Sequence, residues 1–297
     1  MSAADRSAVS FARLIAAAGA VVLLAAGCVG SAATYVHSGP SIAPTTSPSG
    51  SSSATSFYLR ASRTQALAPQ YTFGWLPNVT IADGQFVDGM VAIPMIYPGP
   101  LYIGLSTRTI SAHGIDEIVA EARADGLLGS TTDFSTGAMP GSITAHIELR
   151  VDGITYDLTG PMPSDATQTS NAPGTAAAFG AFWNRIGNLD GWIGSELGQN
   201  TPYVPVNLAV MVTPPGDATA GINPNEAQWP LSVTLATFGA PMSVTPYRCG
   251  VVSGADLNTL LPVVQSANAL TRFVDAKGAK MSLQVRVLVP GEPSPCA

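Results

Sequence analysis

The strictest alternation of apolar and polar residues in the chain lies in the segment 143–160. Asp152-Gly153 in its middle is a signal for a two-residue hairpin turn, which would pair three apolar residues before it with three after it. These apolar residues are Ile147, Leu149, Val151, Ile154, Tyr156 and Leu158. All six lie on one face of the predicted hairpin, and the other face is polar. Such a hairpin belongs to an antiparallel sheet that is covered on one side.

Apolar residues repeat at helical spacing in three further segments. The repeat at positions i, i+3, i+4 and i+7 predicts helices at 111–126, about 175–188 and 254–273. Ser111 suits the N-cap of the first helix, and Gly126 suits a left-handed residue just after its end. The third segment contains Pro262, and a proline inside a helix costs about 3 kcal/mol. The third helix therefore either begins near Leu261 or is kinked at Pro262.

Strand patterns account for most of the remaining chain after residue 56. Asp83-Gly84 is a second hairpin signal between two short apolar runs. Further strands are predicted at 57–60, 101–105, 204–212, 229–238 and 281–289. The prolines of the connection Pro94–Pro100, which leads to 101–105, exclude this connection from a central strand and favour an extended loop or a sheet edge.

The order of these elements predicts the fold class. Residues 57–199 and 200–297 each run from strands through a helix to a strongly alternating strand. This order predicts an α+β fold, in which helices pack on one face of antiparallel sheets. The two halves are either two small domains or parts of one domain, because the chain is long enough for both arrangements.

The beginning of the chain carries the pattern of an export signal. Arg6 and Arg13 precede an uncharged, mostly apolar run, Leu14–Ala26, that leads into Gly27-Cys28. The run falls short of the roughly 20 residues that a membrane-spanning helix needs. Cys28 after Ala-Ala-Gly resembles the lipobox of bacterial lipoproteins. The resemblance implies that residues 1–27 are removed and that Cys28 carries the lipid.

The segment 28–56 has the composition of a tether. It consists mostly of Ser, Thr, Ala, Gly and Pro and shows no apolar periodicity. Such a segment cannot bury enough apolar surface to fold, so we predict that it is disordered, with a reach of about 30 Å. The lipid and the tether together predict a domain that is anchored at the outer face of the cytoplasmic membrane.

Three cysteines fit this location. With Cys28 assigned to the lipid, Cys249 and Cys296 remain, and an oxidising compartment favours a disulfide between them. The bridge would fix the proline-rich C-terminus, which would otherwise fray. The alternative is that both residues are free thiols.

The net charge of −6 argues against nucleic acid as a partner, because nucleic-acid binding needs a basic surface. Candidate catalytic residues are also few. His113 falls in the first turn of a predicted helix and His146 on the polar face of the hairpin. The chain has no G-x-S-x-G, H-E-x-x-H or C-x-x-C motif and no glycine-rich phosphate loop. The sequence therefore predicts no catalytic site, metal site or cofactor.

The segment Tyr97–Tyr102, YPGPLY, is the most suggestive candidate for an interaction loop. Prolines stiffen such a loop, so that it loses less entropy on docking, and tyrosines are enriched at interfaces. The candidate contact residues are Tyr97, Pro98, Gly99, Pro100 and Tyr102. The alternative is a structural crossover in which the tyrosines are buried.

Several segments of the exported part resemble a group of uncharacterised bacterial secreted lipoproteins. They are DGQFV at 83–87, IYPGP at 96–100, ADGLL at 124–128, RCGVVSGAD at 248–256 and VLVPGEP at 287–293. The resemblance implies an exported lipoprotein but no activity, because the group has none assigned. More distantly, the order of strands, Asp-Gly turns and helices is similar to that of emfourin-type metalloprotease inhibitors.

These observations favour a lipid-anchored cell-surface domain that acts by binding and is not an enzyme. Its partner would be an envelope protein or peptide, contacted through YPGPLY or the polar face of the sheet. One alternative is an inhibitor of an exported protease. A second is a hydrolase that uses His113 or His146, which requires a serine or carboxylate within hydrogen-bond reach of the histidine.

Overall fold

The computed structural model describes residues 57–67, 69–90, 95–135, 141–163, 173–215, 224–243 and 246–296. All of them belong to one compact unit, Ser52–Ala297. The predicted signal segment 1–27, the lipidation site Cys28 and the tether 28–56 lie outside the described residues.

Among the described residues, seven strands form a first sheet, and all of its neighbouring strands are antiparallel. They are β1 (Tyr58–Thr64), β2 (Val79–Ala82), β3 (Gln85–Asp88), β4 (Ser106–Thr109), β5 (Thr144–Val151), β6 (Ile154–Pro161) and β7 (Thr201–Pro202). Their order in the sheet is β6-β5-β1-β2-β3-β4-β7. Both Asp-Gly pairs form the predicted turns, with all four residues at positive φ. The hairpin β5-β6 has the predicted register, in which Val151 pairs with Ile154 and Leu149 with Tyr156.

Six further strands in the described ranges form a second sheet. They are β8 (Asn207–Thr213), β9 (Glu226–Gln228), β10 (Ala240–Pro241), β11 (Arg248–Ser253), β12 (Arg272–Val274) and β13 (Lys280–Val287). Their order is β10-β11-β8-β13-β12-β9, and only β9 and β12 are parallel neighbours. The long pairings of β8 with β11 and β13 make it the central strand.

The helices largely follow the predicted periodicity. They are α1 (Pro69–Thr72), α2 (Ala112–Ala124), α3 (Ala176–Ile186), α4 (Leu189–Ile193) and α5 (Gly254–Ser266), with a 3-10 turn at Gly194–Glu196. Ser111 caps α2 by accepting a hydrogen bond from the Gly114 amide at 3.1 Å. The helix α5 begins at Gly254 and includes Pro262, so a start near Leu261 is wrong. Its buried residues, Leu257, Leu260 and Val264, lie on both sides of Pro262. Burial of these apolar side chains offsets the free-energy cost of a proline inside the helix.

Each sheet has its own helix-covered core. The first sheet packs against α2, α3 and α4, and the second sheet packs against α5. The first core includes Leu59, Ile81, Ile147, Leu149, Ile118, Phe179 and Phe182. The second includes Leu208, Val210, Val252, Leu257, Leu260, Val264 and Leu283. Val87 of β3 lies in the second core, so part of the otherwise polar face of the first sheet is covered by the second half of the chain. The fold is α+β, as predicted.

Two predicted strands are wrong. Residues 101–105 form no strand, although Leu101 and Leu105 are buried, and β4 begins only at Ser106. Residues 229–238 also form bends and turns, in which the Trp229 indole donates to the Val233 carbonyl at 2.6 Å. In both segments several apolar side chains, such as Leu105 and Leu235, are buried although the backbone is irregular. An apolar pattern in the sequence does not distinguish this arrangement from a strand.

The strand predicted at 204–212 begins later and is buried differently. Val204 and Val206 are exposed, and β8 begins at Asn207. From there Leu208 to Val212 are all buried, because a small cluster around Phe73 and Met211 covers the face of the second sheet opposite α5.

Candidate functional site

The tip of the segment predicted as an interaction loop is solvent-exposed. Tyr97 is 66% exposed, and its neighbours Met95 and Ile96 are exposed to a similar or greater degree. The remaining candidates, Pro98, Gly99, Pro100 and Tyr102, are half-buried. The two tyrosines therefore differ, because Tyr97 belongs to the exposed tip and Tyr102 packs against the second core.

The stem of this loop is fixed to the chain that follows α5. The Leu101 amide donates to the Ala267 carbonyl at 3.1 Å, and the Ala269 amide donates to the Gly99 carbonyl at 2.9 Å. The Leu101 side chain is buried. The Tyr102 side chain is partly buried, and its burial raises the pKa of its hydroxyl group. The structure thus presents Met95, Ile96 and Tyr97 on a backbone that is anchored immediately behind them.

The polar face of the first sheet carries a group of polar side chains on three neighbouring strands, β1, β5 and β6. Ser62 of β1 lies directly opposite His146 of β5, and the His146 ring contacts the carboxylate of Asp157 on β6 through Nε2. A serine, a histidine and an aspartate thus share one face. Among the described residues, no hydrogen bond joins Ser62 to His146.

His113 lies elsewhere, at the start of α2. Its Nε2 atom is 3.3 Å from the Glu117 carboxylate, one helical turn away, and its side chain is mostly exposed. The two histidines therefore belong to separate surfaces, and each has a carboxylate neighbour.

A cavity of about 250 Å³ lies beside the polar face of the first sheet. It is lined by residues of β1, of β13 and of the C-terminal segment that follows β13. Arg60, Ser62 and Arg63 of β1 line one side, and Trp75 and Leu76 line another. Arg286 of β13 and Glu292 complete it.

Two ion pairs hold two of the three arginines that line this cavity. Arg60 Nη2 lies 2.7 Å from Glu148 on β5, and Arg286 pairs with Glu292. The Arg286 and Glu292 side chains are only 8% and 6% exposed. Burial, together with the nearby charge of Arg60, lowers the pKa of the Arg286 guanidinium to about 10.

The C-terminal segment that carries Glu292 is fixed at several points. Cys249 and Cys296 are bonded, as predicted, with their Cα atoms 5.1 Å apart. The Tyr58 hydroxyl donates to the Pro290 carbonyl at 3.3 Å. Gly291 has positive φ, and a Cβ there would come within 2.7 Å of the Tyr58 ring. The segment therefore lies directly against β1.

The cavity lined by Arg60, Arg63 and Arg286, here called the arginine cavity, is the part of the candidate site that the sequence did not reveal. Arg60 and Arg63 lie in the first strand and Arg286 in the last, so no local motif contains all three. The one signal in the sequence was the scarcity of basic residues, since the chain has only 13 of them against 19 acidic residues.

No group of three or more potential metal ligands converges within the part of the chain that the structure describes. Among the same residues, no helix combines the length and the apolar character needed to cross a membrane.

Comparisons with protein-family models, curated proteins and solved structures gave no match. The resemblance to uncharacterised lipoproteins and to emfourin-type inhibitors stays a prediction.

Proposed function

We propose that the protein is a lipid-anchored, non-enzymatic binding domain on the outer face of the cytoplasmic membrane. The observation that carries the proposal is the loop tip, where Met95, Ile96 and Tyr97 are exposed together beside a fixed stem. Burying such side chains on a partner is favourable, and a stem that is already ordered reduces the entropy lost on docking.

The chemistry of the tip favours a protein partner. Tyrosine and methionine are enriched at the centres of protein interfaces. An anionic lipid surface is disfavoured, because the protein itself has a net charge of −6. We therefore propose that the partner is an envelope protein that offers an apolar patch to the loop.

Photo-crosslinking in native membranes tests this proposal. A photoreactive phenylalanine derivative in place of Tyr97 should give a discrete protein adduct, which the double substitution Met95→Ser, Ile96→Ser should abolish. The same derivative at Ile154, which is 56% exposed on the β5-β6 turn, should give no such adduct.

The matched control removes exposed apolar side chains elsewhere. Val204→Ser, Val206→Ser should leave the adduct at Tyr97 unchanged, since these valines precede β8. Equal adducts at positions 97 and 154, or adducts with lipid alone, would contradict a protein partner. An adduct with an exported protease that the domain inhibits would support the inhibitor alternative.

The hydrolase alternative has one observation in its favour, the alignment of Ser62, His146 and Asp157 on neighbouring strands. Against it, acyl transfer also requires donors for a developing oxyanion. His146 lies on β5, which pairs with β1 on one side and β6 on the other along its length, so the backbone amides of this strand are engaged and do not supply such donors.

A further inference from the structure

The cavity between β1, β13 and the C-terminal segment has a local charge opposite to that of the whole protein. Arg60, Arg63, Arg286 and Glu292 are its charged lining residues, so the formal charge of the lining is 3 − 1 = +2. Adding the flanking Glu148 and Arg150 leaves this sum unchanged. The protein as a whole carries −6.

Two of these guanidinium groups have donors that the described part of the protein does not satisfy. Nε of Arg60 and Nε of Arg286 are buried and have no hydrogen-bond partner among the described residues. The Arg286 side chain is more than nine-tenths buried, and its other nitrogens contact the Phe73 carbonyl and Glu292. Buried donors without partners are rare in native structures and require an explanation.

The third arginine has no carboxylate partner among the described residues. Arg63 is exposed, and its guanidinium carbon lies 5.7 Å from the centre of the Trp75 ring. A cluster built only for stability would not need this third cation, because Glu148 and Glu292 already pair with the other two. The excess positive charge at the mouth of the cavity therefore points to a ligand.

We propose that this cavity binds a doubly charged oxyanion, namely the phosphate of a phosphate monoester. Guanidinium groups match phosphate oxygens in geometry and form strong charge-assisted hydrogen bonds with them. Two negative charges would balance the cavity's excess of +2. An anion between Arg60 and Arg286 would also relieve the repulsion between these two cations.

The size and surroundings of the cavity define the rest of the ligand. At about 250 Å³ the cavity is smaller than a typical site for a whole organic ligand, so it accommodates the phosphate group. A second cavity of about 420 Å³ shares Arg63, Trp75 and Leu76 with the first, and it is also lined by Met90 and Ile103. The organic part of the ligand would therefore be apolar and would lie along Trp75.

Calorimetric titration with phenyl phosphate tests the inference directly. We expect saturable binding that Arg63→Gln weakens about tenfold, through loss of one charge-assisted contact. Arg63 is exposed, so this variant should keep the fold, which its thermal transition would verify. Benzoate, with a single charge, should bind more weakly than phenyl phosphate.

The matched control is Arg185→Gln. Arg185 also lies over a tryptophan, 5.8 Å from the centre of the Trp192 ring, and lines a different cavity of about 340 Å³. This variant should bind phenyl phosphate like the wild type. Absence of saturable binding, equal effects of the two substitutions, or equal affinities for benzoate and phenyl phosphate would overturn the inference.

Two sources could supply the monoester, a soluble metabolite or a lipid headgroup. Phosphatidylcholine vesicles with added phosphatidic acid should retain the wild type more strongly than Arg63→Gln if the source is a lipid. Binding of phenyl phosphate without retention on the vesicles identifies a soluble monoester. The inference does not depend on the partner proposed for the loop, because the Met95→Ser, Ile96→Ser variant should still bind phenyl phosphate.

Discussion

Replacing Cys296 by serine is expected to lower the free energy of unfolding by about 4 kcal/mol. The bond to Cys249 closes a loop with a sequence separation of 47, and the loss of loop-closure entropy in the unfolded chain accounts for this magnitude. Urea denaturation of the variant and of the wild type, both without reductant, measures the difference.

The reduced wild type is the matched control for this prediction. With dithiothreitol in both samples, the two proteins should unfold at nearly the same urea concentration, since neither then contains the bridge. A variant as stable as the oxidised wild type would mean that the disulfide does not contribute to the native fold.

Replacing Glu292 by glutamine is expected to cost about 3 kcal/mol, because removing one partner leaves a buried charge without compensation. Glu292 pairs with Arg286, and both side chains are almost fully buried. Nearby Arg60 adds repulsion to the remaining cation. The urea midpoint at neutral pH reports the loss.

Two further variants separate this effect from the loss of an ordinary ion pair. Glu226→Gln removes a surface pair with Lys280, whose side chains are 48% and 49% exposed, and it should cost less than about 1 kcal/mol. The double variant Arg286→Met, Glu292→Met should be more stable than Glu292→Gln, since it leaves no buried charge. Equal effects of Glu292→Gln and Glu226→Gln would contradict this role for the buried pair.

The elements that were predictable from sequence are those whose local chemistry is sufficient to specify them. Asp83-Gly84 and Asp152-Gly153 both adopt the positive φ angles of two-residue hairpin turns. Ser111 caps α2 as its side chain and position predict. In each case the signal and its consequence lie within a few residues.

The wrong predictions concern segments whose structure is determined by packing against residues far away in the sequence. Alternation indicates one buried face, but β8 is buried on both, because α5 and the cluster around Phe73 cover opposite faces of the second sheet. Trp229 and Phe238 are buried although neither residue lies in a strand, and the periodicity of the sequence does not reveal this. The arginine cavity was not predictable either, because Arg60 and Arg286 lie on strands of two different sheets and meet only when these sheets pack together in the folded protein.

Intact-mass spectrometry of the protein purified from its native membranes tests the central claim, an exported and lipid-anchored domain, most directly. The proposal predicts a chain that begins at Cys28, carries the mass of a lipid and lacks two hydrogens because of the Cys249–Cys296 bond. A cytosolic chain that retains Met1, carries no lipid and has both of these cysteines reduced would contradict it.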